Sequence, residues 1–117
     1  MIAIVLVALV ALLHFYFLVL EMFLWTQPMG LRTFNNTPQR AEDTKVLAAN
    51  QGLYNGFLAA GLVWGLLLGT AAGRPVLTFF LGCVIVAGVY GAISVSRKIF
   101  FVQAVPALLA LGALYLA

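Results

Sequence analysis

One carboxylate and one histidine share a face of the first apolar run. His14 and Glu21 are seven residues apart, which on a helix is two turns along one side. Between Met1 and Trp25 Glu21 is the sole ionised side chain, and the residues around the pair are hydrocarbon. A carboxylate at the centre of a membrane helix costs about 2.5 to 3.5 kcal/mol. Such a group faces the interior of a protein, beside a partner, so a polar site inside the apolar layer is expected here.

Three further stretches carry polar groups to the same level. Asn50, Gln51, Tyr54 and Asn55 span about 140° of one helix face. Tyr90, Ser94 and Arg97 stand at i, i+4 and i+7, which predicts a single stripe. Gln103 precedes Pro106, whose missing N–H leaves a carbonyl free nearby. Counted from the basic ends of the runs, most of these residues lie within about 15 Å of one boundary. Glu21 and Arg97 have opposite charge at similar depth, and a direct or water-bridged pair is expected. Amides supply donors and acceptors in fixed directions. The set suits a small polar or zwitterionic ligand, or a proton-coupled cation. The competing reading is that the groups satisfy one another as interhelical glue, where each hydrogen bond stabilises by about 0.6 kcal/mol on average.

Other chemistry has less support. A haem or zinc ion at His14 would need companion ligands, and the chain has one His and one Cys. No metal and no cofactor is therefore expected. Cys83 lies inside an apolar run and reads as small packing, and a lone cysteine forms no intrachain disulfide. Ser94 has no base beside it in sequence for nucleophilic work.

The elements that must position these groups follow from composition. Of 117 residues, 65 % are hydrophobic and 8 % charged, and the mean hydropathy is +1.14. A soluble fold does not reach such values. Four runs, residues 2–25, 46–69, 76–95 and 99–117, are long enough to cross about 30 Å of hydrocarbon. They are continuous rather than alternating, which excludes barrel strands. The first lacks a basic leader and a small-residue cleavage site, and reads as a permanent helix. The connectors, residues 26–45, 70–75 and 96–98, include two short ones that force antiparallel neighbours. The expected fold is all-α: one integral membrane domain over 1–117, a four-transmembrane-helix up-down bundle.

The long first connector has signals of its own. Gln27-Pro28-Met29-Gly30 predicts a turn. Thr37 before Pro38 predicts an N-cap and a first helical position. A helix is expected from Pro38 into the second span, extending it into the connector. Arg32, Arg40, Lys45, Arg97 and Lys98 lie in connectors one and three or at their edges, and Arg74 alone lies on the other side. That asymmetry predicts connectors one and three in the cytoplasm and both termini outside. The net charge of +3 is scattered over helix ends, which does not point to nucleic acid.

Small residues line two faces of the second span: Gly61, Gly65 and Gly69 on one, Gly52, Gly56 and Ala60 on the other. Small faces let helices approach closely in lipid. One could serve a neighbour in the bundle and the other a homodimer mate; packing within the chain alone explains them equally well.

The stretch Glu21-Met22-Phe23-Leu24-Trp25-Thr26, the segment from Lys45 through Asn50-Gln51-Gly52-Leu53-Tyr54-Asn55-Gly56 to Gly61, then Ser94-Val95-Ser96-Arg97-Lys98 and Gln103-Ala104-Val105-Pro106-Ala107, resemble one family. It comprises the small bacterial integral membrane proteins of domain of unknown function thirteen-zero-four. The resemblance covers nearly the whole chain and implies a four-helix membrane protein of this length, with no activity to carry over. Small multidrug resistance transporters are similar in outline, with four spans and a membrane glutamate in the first. Here Glu21 lies late in the span and the first connector is long, so that similarity is one of architecture.

The sequence thus predicts a membrane protein with a polar pocket open to the cytoplasm. It is lined by His14, Glu21, Asn50, Gln51, Tyr54, Asn55, Tyr90, Ser94, Arg97 and Gln103. The pocket would bind or transport a small polar or amphipathic solute. The alternatives are an enzyme acting on a lipophilic substrate, with Glu21 or His14 as acid/base, and an accessory subunit of a larger membrane complex.

Overall fold

The computed structural model describes residues 1–116; Ala117, the last residue of the expected fourth span, lies outside them. The described chain is all-helical, and four of its helices are long and apolar enough to cross a membrane. They are Ile2–Met22 (α1), Pro38–Leu68 (α3), Arg74–Ser94 (α4) and a broken fourth, Arg97–Leu116.

Helix α1 has no Gly or Pro to interrupt it and ends three residues short of the expected boundary. The N–H groups of Phe23 and Leu24 both converge on the Val19 carbonyl, at 3.0 and 3.1 Å, which closes the last turn. The expected turn at residues 27–30 is the start of a short helix, Pro28–Thr33 (α2), with proline in its first turn. Gly30 is buried there, because any Cβ would sit 2.0 Å from the Leu24 carbonyl oxygen. The fold therefore needs the missing side chain, and the glycine that suggested a bend in fact marks a close backbone approach.

Helix α3 begins where the cap predicts. The Arg40 N–H donates to Thr37 Oγ1 at 3.2 Å, and the Ala41 N–H reaches the Thr37 carbonyl at 2.9 Å. The helix runs without a break through 31 residues to Gly69, whose φ of +91° is the left-handed ending that glycine tolerates. At 1.5 Å per residue it is about 46 Å long, more than a bilayer core requires. Replacing the cap, Thr37→Ala, should cost about 1 kcal/mol in a detergent thermal melt. An unchanged melting temperature would show that the cap is dispensable.

Helix α4 stops at Ser94. The Val95 and Ser96 N–H groups share the Gly91 carbonyl, at 2.9 and 3.1 Å. Ser96 then caps the next turn, Arg97–Ile99 (α5), its hydroxyl accepting from the Lys98 N–H at 3.2 Å. Tyr90, Ser94 and Arg97 are therefore not one stripe; the break at Val95 and Ser96 takes Arg97 out of α4's register. A π-helical turn, Phe100–Ala104, follows and leads into α6, Val105–Leu116. Pro106 has no N–H to give Val102, and at this point Val105 bonds back five residues to Phe100.

The residues form two compact units. Met1–Leu12 with Leu58–Ala117 make the first, which holds a part of every long helix. Its core is Val7 and Val10 from α1, Leu62 from α3, Leu77, Leu81 and Val84 from α4, and Ala107, Ala110 and Leu114 from α6. Close approaches give the directions. Gly61 meets the Phe80 ring and Gly65 meets Leu77, so α3 and α4 are antiparallel. Gly88 meets Ala104 and Gly91 meets Ile99, so the chain returns antiparallel again. This is up-down packing.

Leu13–Phe57 make the second unit. In it the last turns of α1 lie against the first membrane turns of α3. A Cβ on Gly52 would come within 2.7 Å of Met22 Cγ and 3.2 Å of the Leu18 carbonyl, and one on Gly56 within 2.6 Å of Leu18 Cδ1. Gly52 and Gly56 therefore face a neighbour in the same chain, as do Gly61 and Gly65.

Candidate functional site

The close approach at Gly52 sets the geometry of the second unit. With no Cβ between them, α1 and α3 bring Glu21 and Asn55 side by side. Asn55 Nδ2 donates to Glu21 Oε1 at 2.5 Å. Asn55 is only 7 % exposed and Glu21 is half-buried. Among the described residues the other carboxyl oxygen has no partner, and it is not sealed from solvent. It is thus open to the space beside it. His14, two turns back on the same face of α1, is fully buried, with Phe17 edge-on at 5.5 Å between ring centres.

That space is an open cleft of about 350 Å³. Met22, Phe23, Val46 and Ala49 form its apolar walls, Glu21 and Asn50 its polar ones, and Trp25, Thr26 and Lys45 complete the lining. The Trp25 indole donates to Thr44 Oγ1 at 3.2 Å and lies against Phe34 at 4.9 Å between ring centres. Both contacts hold the residue 23–27 turn in place. Lys45 Nζ donates to Glu42 Oε1 at 2.6 Å, so its charge is already paired at the surface. Chemically, the cleft offers one carboxyl oxygen as acceptor above apolar walls. That arrangement can hold a small molecule with a donor at one end and hydrocarbon at the other.

The expected site residues divide. Glu21 and Asn55 are joined directly, and Asn50 lines the cleft, although its amide donates to the Val46 carbonyl of its own helix at 2.8 Å. Gln51 and Tyr54 are on the exposed side of α3. Tyr90, Ser94, Arg97 and Gln103 belong to the other compact unit. There, Tyr90 is exposed and borders a shallow apolar groove with Phe79 and Val86 on α4. Ser94 Oγ donates to the Tyr90 carbonyl at 2.7 Å. Arg97 is exposed, and Gln103 is half-buried in the π-helical turn. Within its own unit Glu21 is bonded to Asn55.

Sequence reasoning missed the walls: Met22, Phe23, Trp25, Thr26, Lys45, Val46 and Ala49. A signal was available. Gly52 and Gly56 fix the antiparallel register, and that register sets residues 45–49 opposite residues 22–26. Among the described residues no three His, Cys, Asp or Glu side chains gather as a metal site would need.

Four membrane-length helices and a half-buried carboxyl–amide pair define a small multi-pass α-helical membrane protein. Its chain belongs to the family described as Protein of unknown function (DUF1304), whose model matches residues 8–115. It is similar to the Uncharacterized protein YpaA of Lactococcus lactis subsp. lactis (strain IL1403), with 34 % identity over 110 residues, 92 % of either chain. No solved structure matches it.

Proposed function

We propose that this protein binds, and as a transporter passes on, a small amphipathic solute whose cationic or N–H-bearing head meets Glu21 in the cleft between α1 and α3. One observation supports this most. Glu21, with one oxygen held by Asn55, lines a cleft with apolar walls. A volume of about 350 Å³ is at the small end of the range for ligand sites, about 300 to 1,000 Å³. The amphipathic lining matches a ligand that partitions into the interface before it enters. The basic asymmetry of the connectors favours a cleft open to the cytoplasm of a bacterial inner membrane, with both termini outside, within a single membrane domain. A homodimer through the glycines of α3 is not part of this reading, because Gly52, Gly56, Gly61 and Gly65 already have intrachain neighbours.

The test uses thiol chemistry in a Cys83→Ala background. Ala49→Cys should react with a membrane-impermeant charged thiol reagent in inside-out vesicles and not in right-side-out ones. Leu62→Cys, in the core, should react in neither. Octylammonium should slow the reaction at Ala49→Cys, octanol should not, and Glu21→Gln should remove the protection. If Ala49→Cys is as inert as Leu62→Cys, the cleft is sealed and the binding reading fails. Equal protection by octanol would remove Glu21 from it. Reaction only in right-side-out vesicles would reverse the topology.

A further inference from the structure

The first unit holds a polar cluster of its own. Arg74 opens α4, a helix of 21 residues that ends at Ser94. A span of that length places Arg74 at a membrane interface. Its guanidinium lies over the Tyr115 ring, 5.2 Å from the ring centre. The ring is itself fixed, because the Tyr115 and Thr78 hydroxyls are hydrogen-bonded at 2.8 Å, either able to donate. The arginine therefore has a preset position rather than a free sweep.

Beyond that ring contact, Arg74 has no anionic partner among the described residues. Its Nε is buried and has no acceptor there, and no side-chain hydrogen bond is found among them for the rest of the guanidinium. Residues 1–12 and 58–117 contain no Asp or Glu at all. Every acidic residue, Glu21, Glu42 and Asp43, belongs to the other unit. A half-buried guanidinium needs acceptors on its open side, and a fixed planar fork fits a phosphate through two parallel N–H donors. At an interface, the phosphates within reach are those of the lipids. Tyr115 suits the same depth, where aromatic residues with a polar tip collect.

We propose that Arg74, held by Tyr115 and Thr78, is a site for the phosphate group of an anionic membrane lipid. Free inorganic phosphate has the same chemistry, and the experiment separates the two sources. It is independent of the cleft at Glu21.

The test measures lipid retained by the detergent-purified protein, by native mass spectrometry and by thermal shift. The probes are dioleoylphosphatidylglycerol, dioleoylglycerol with the same chains and no phosphate, and inorganic phosphate. The wild type should retain and be stabilised by the phosphatidylglycerol and not by the dioleoylglycerol. Arg74→Gln should weaken retention about tenfold, the loss of roughly one charge-assisted contact. Tyr115→Leu keeps the charge, loses the platform and should weaken it several-fold. Lys98→Gln, in α5 beyond the far end of α4, should leave it unchanged. Should Arg74→Gln fail to fold, Arg74→Lys keeps a cation without the fork and should still lose affinity. Equal retention by Arg74→Gln and wild type overturns the proposal, as does equal retention of both diacyl probes. If millimolar inorganic phosphate stabilises the wild type as well as the lipid does, the site is for a free anion and the lipid assignment falls.

Discussion

Asn55→Leu should destabilise the protein by about 1 to 3 kcal/mol, because it leaves a half-buried carboxyl oxygen without its donor. Leucine has as many side-chain heavy atoms as asparagine, so no cavity opens; the cost comes from the lost bond and from fitting the bulkier methyl groups. Asn55 is 7 % exposed, and its amide is the protein's contact to Glu21 Oε1. Water therefore has limited access to replace it. Glu21→Leu should strand the Asn55 amide in the same way. The informative measurement is the double change. When both partners become apolar and similar in shape, neither polar group remains to be orphaned, and the pair of costs should largely cancel. A thermal or dodecyl-sulfate melt of wild type, both single variants and the double variant closes the cycle. A coupling of about 1 kcal/mol or more is expected, above the average of about 0.6 kcal/mol for membrane hydrogen bonds. Strictly additive losses would mean that the two side chains do not hold each other. The register between α1 and α3 would then have to be argued from Gly52 and Gly56 alone.

Two glycines of α4 should respond in opposite directions to the same methyl group. A Cβ on Gly88 would lie 2.7 Å from the Ala104 amide nitrogen and 2.8 Å from its Cβ. Both are backbone or its direct attachment, which no rotamer change can move aside. Gly88→Ala must push the π-helical turn off α4, and overpacking of this kind costs about 1 to 3 kcal/mol. Gly82, six residues earlier, has no heavy atom within 4 Å of the same position. There, Gly82→Ala adds no clash and removes the entropy penalty of a helical glycine, so it should stabilise by about 0.5 to 1 kcal/mol. Melting temperatures in one detergent settle both. If Gly88→Ala is as benign as Gly82→Ala, α4 and the π-helical turn are not in contact at Ala104.

Several features were legible in the residues alone. Four continuous apolar runs fix four spans, since crossing hydrocarbon depends only on length and local hydrophobicity. Thr37 before Pro38 fixes the start of α3, because a cap is decided within four residues. The polar residues near the ends of the runs and the family resemblance came from the same local text. Which polar group meets which did not. Depth alone does not choose a partner for Glu21, because it leaves the rotation of each helix open. The contact at Gly52 sets that rotation and gives Glu21 to Asn55. Ser94 and Arg97 have helical spacing, yet Ser96 caps a new turn between them and cancels the stripe. Gly30 reads as a turn residue until the Leu24 carbonyl is found 2.0 Å from where its Cβ would be. The cleft walls, residues 22–26 against 45–49, come together only through the antiparallel register of α1 and α3. Helix formation and membrane insertion are summed along the chain, residue by residue. The site depends on how closely two segments some thirty residues apart approach, and that is set by packing.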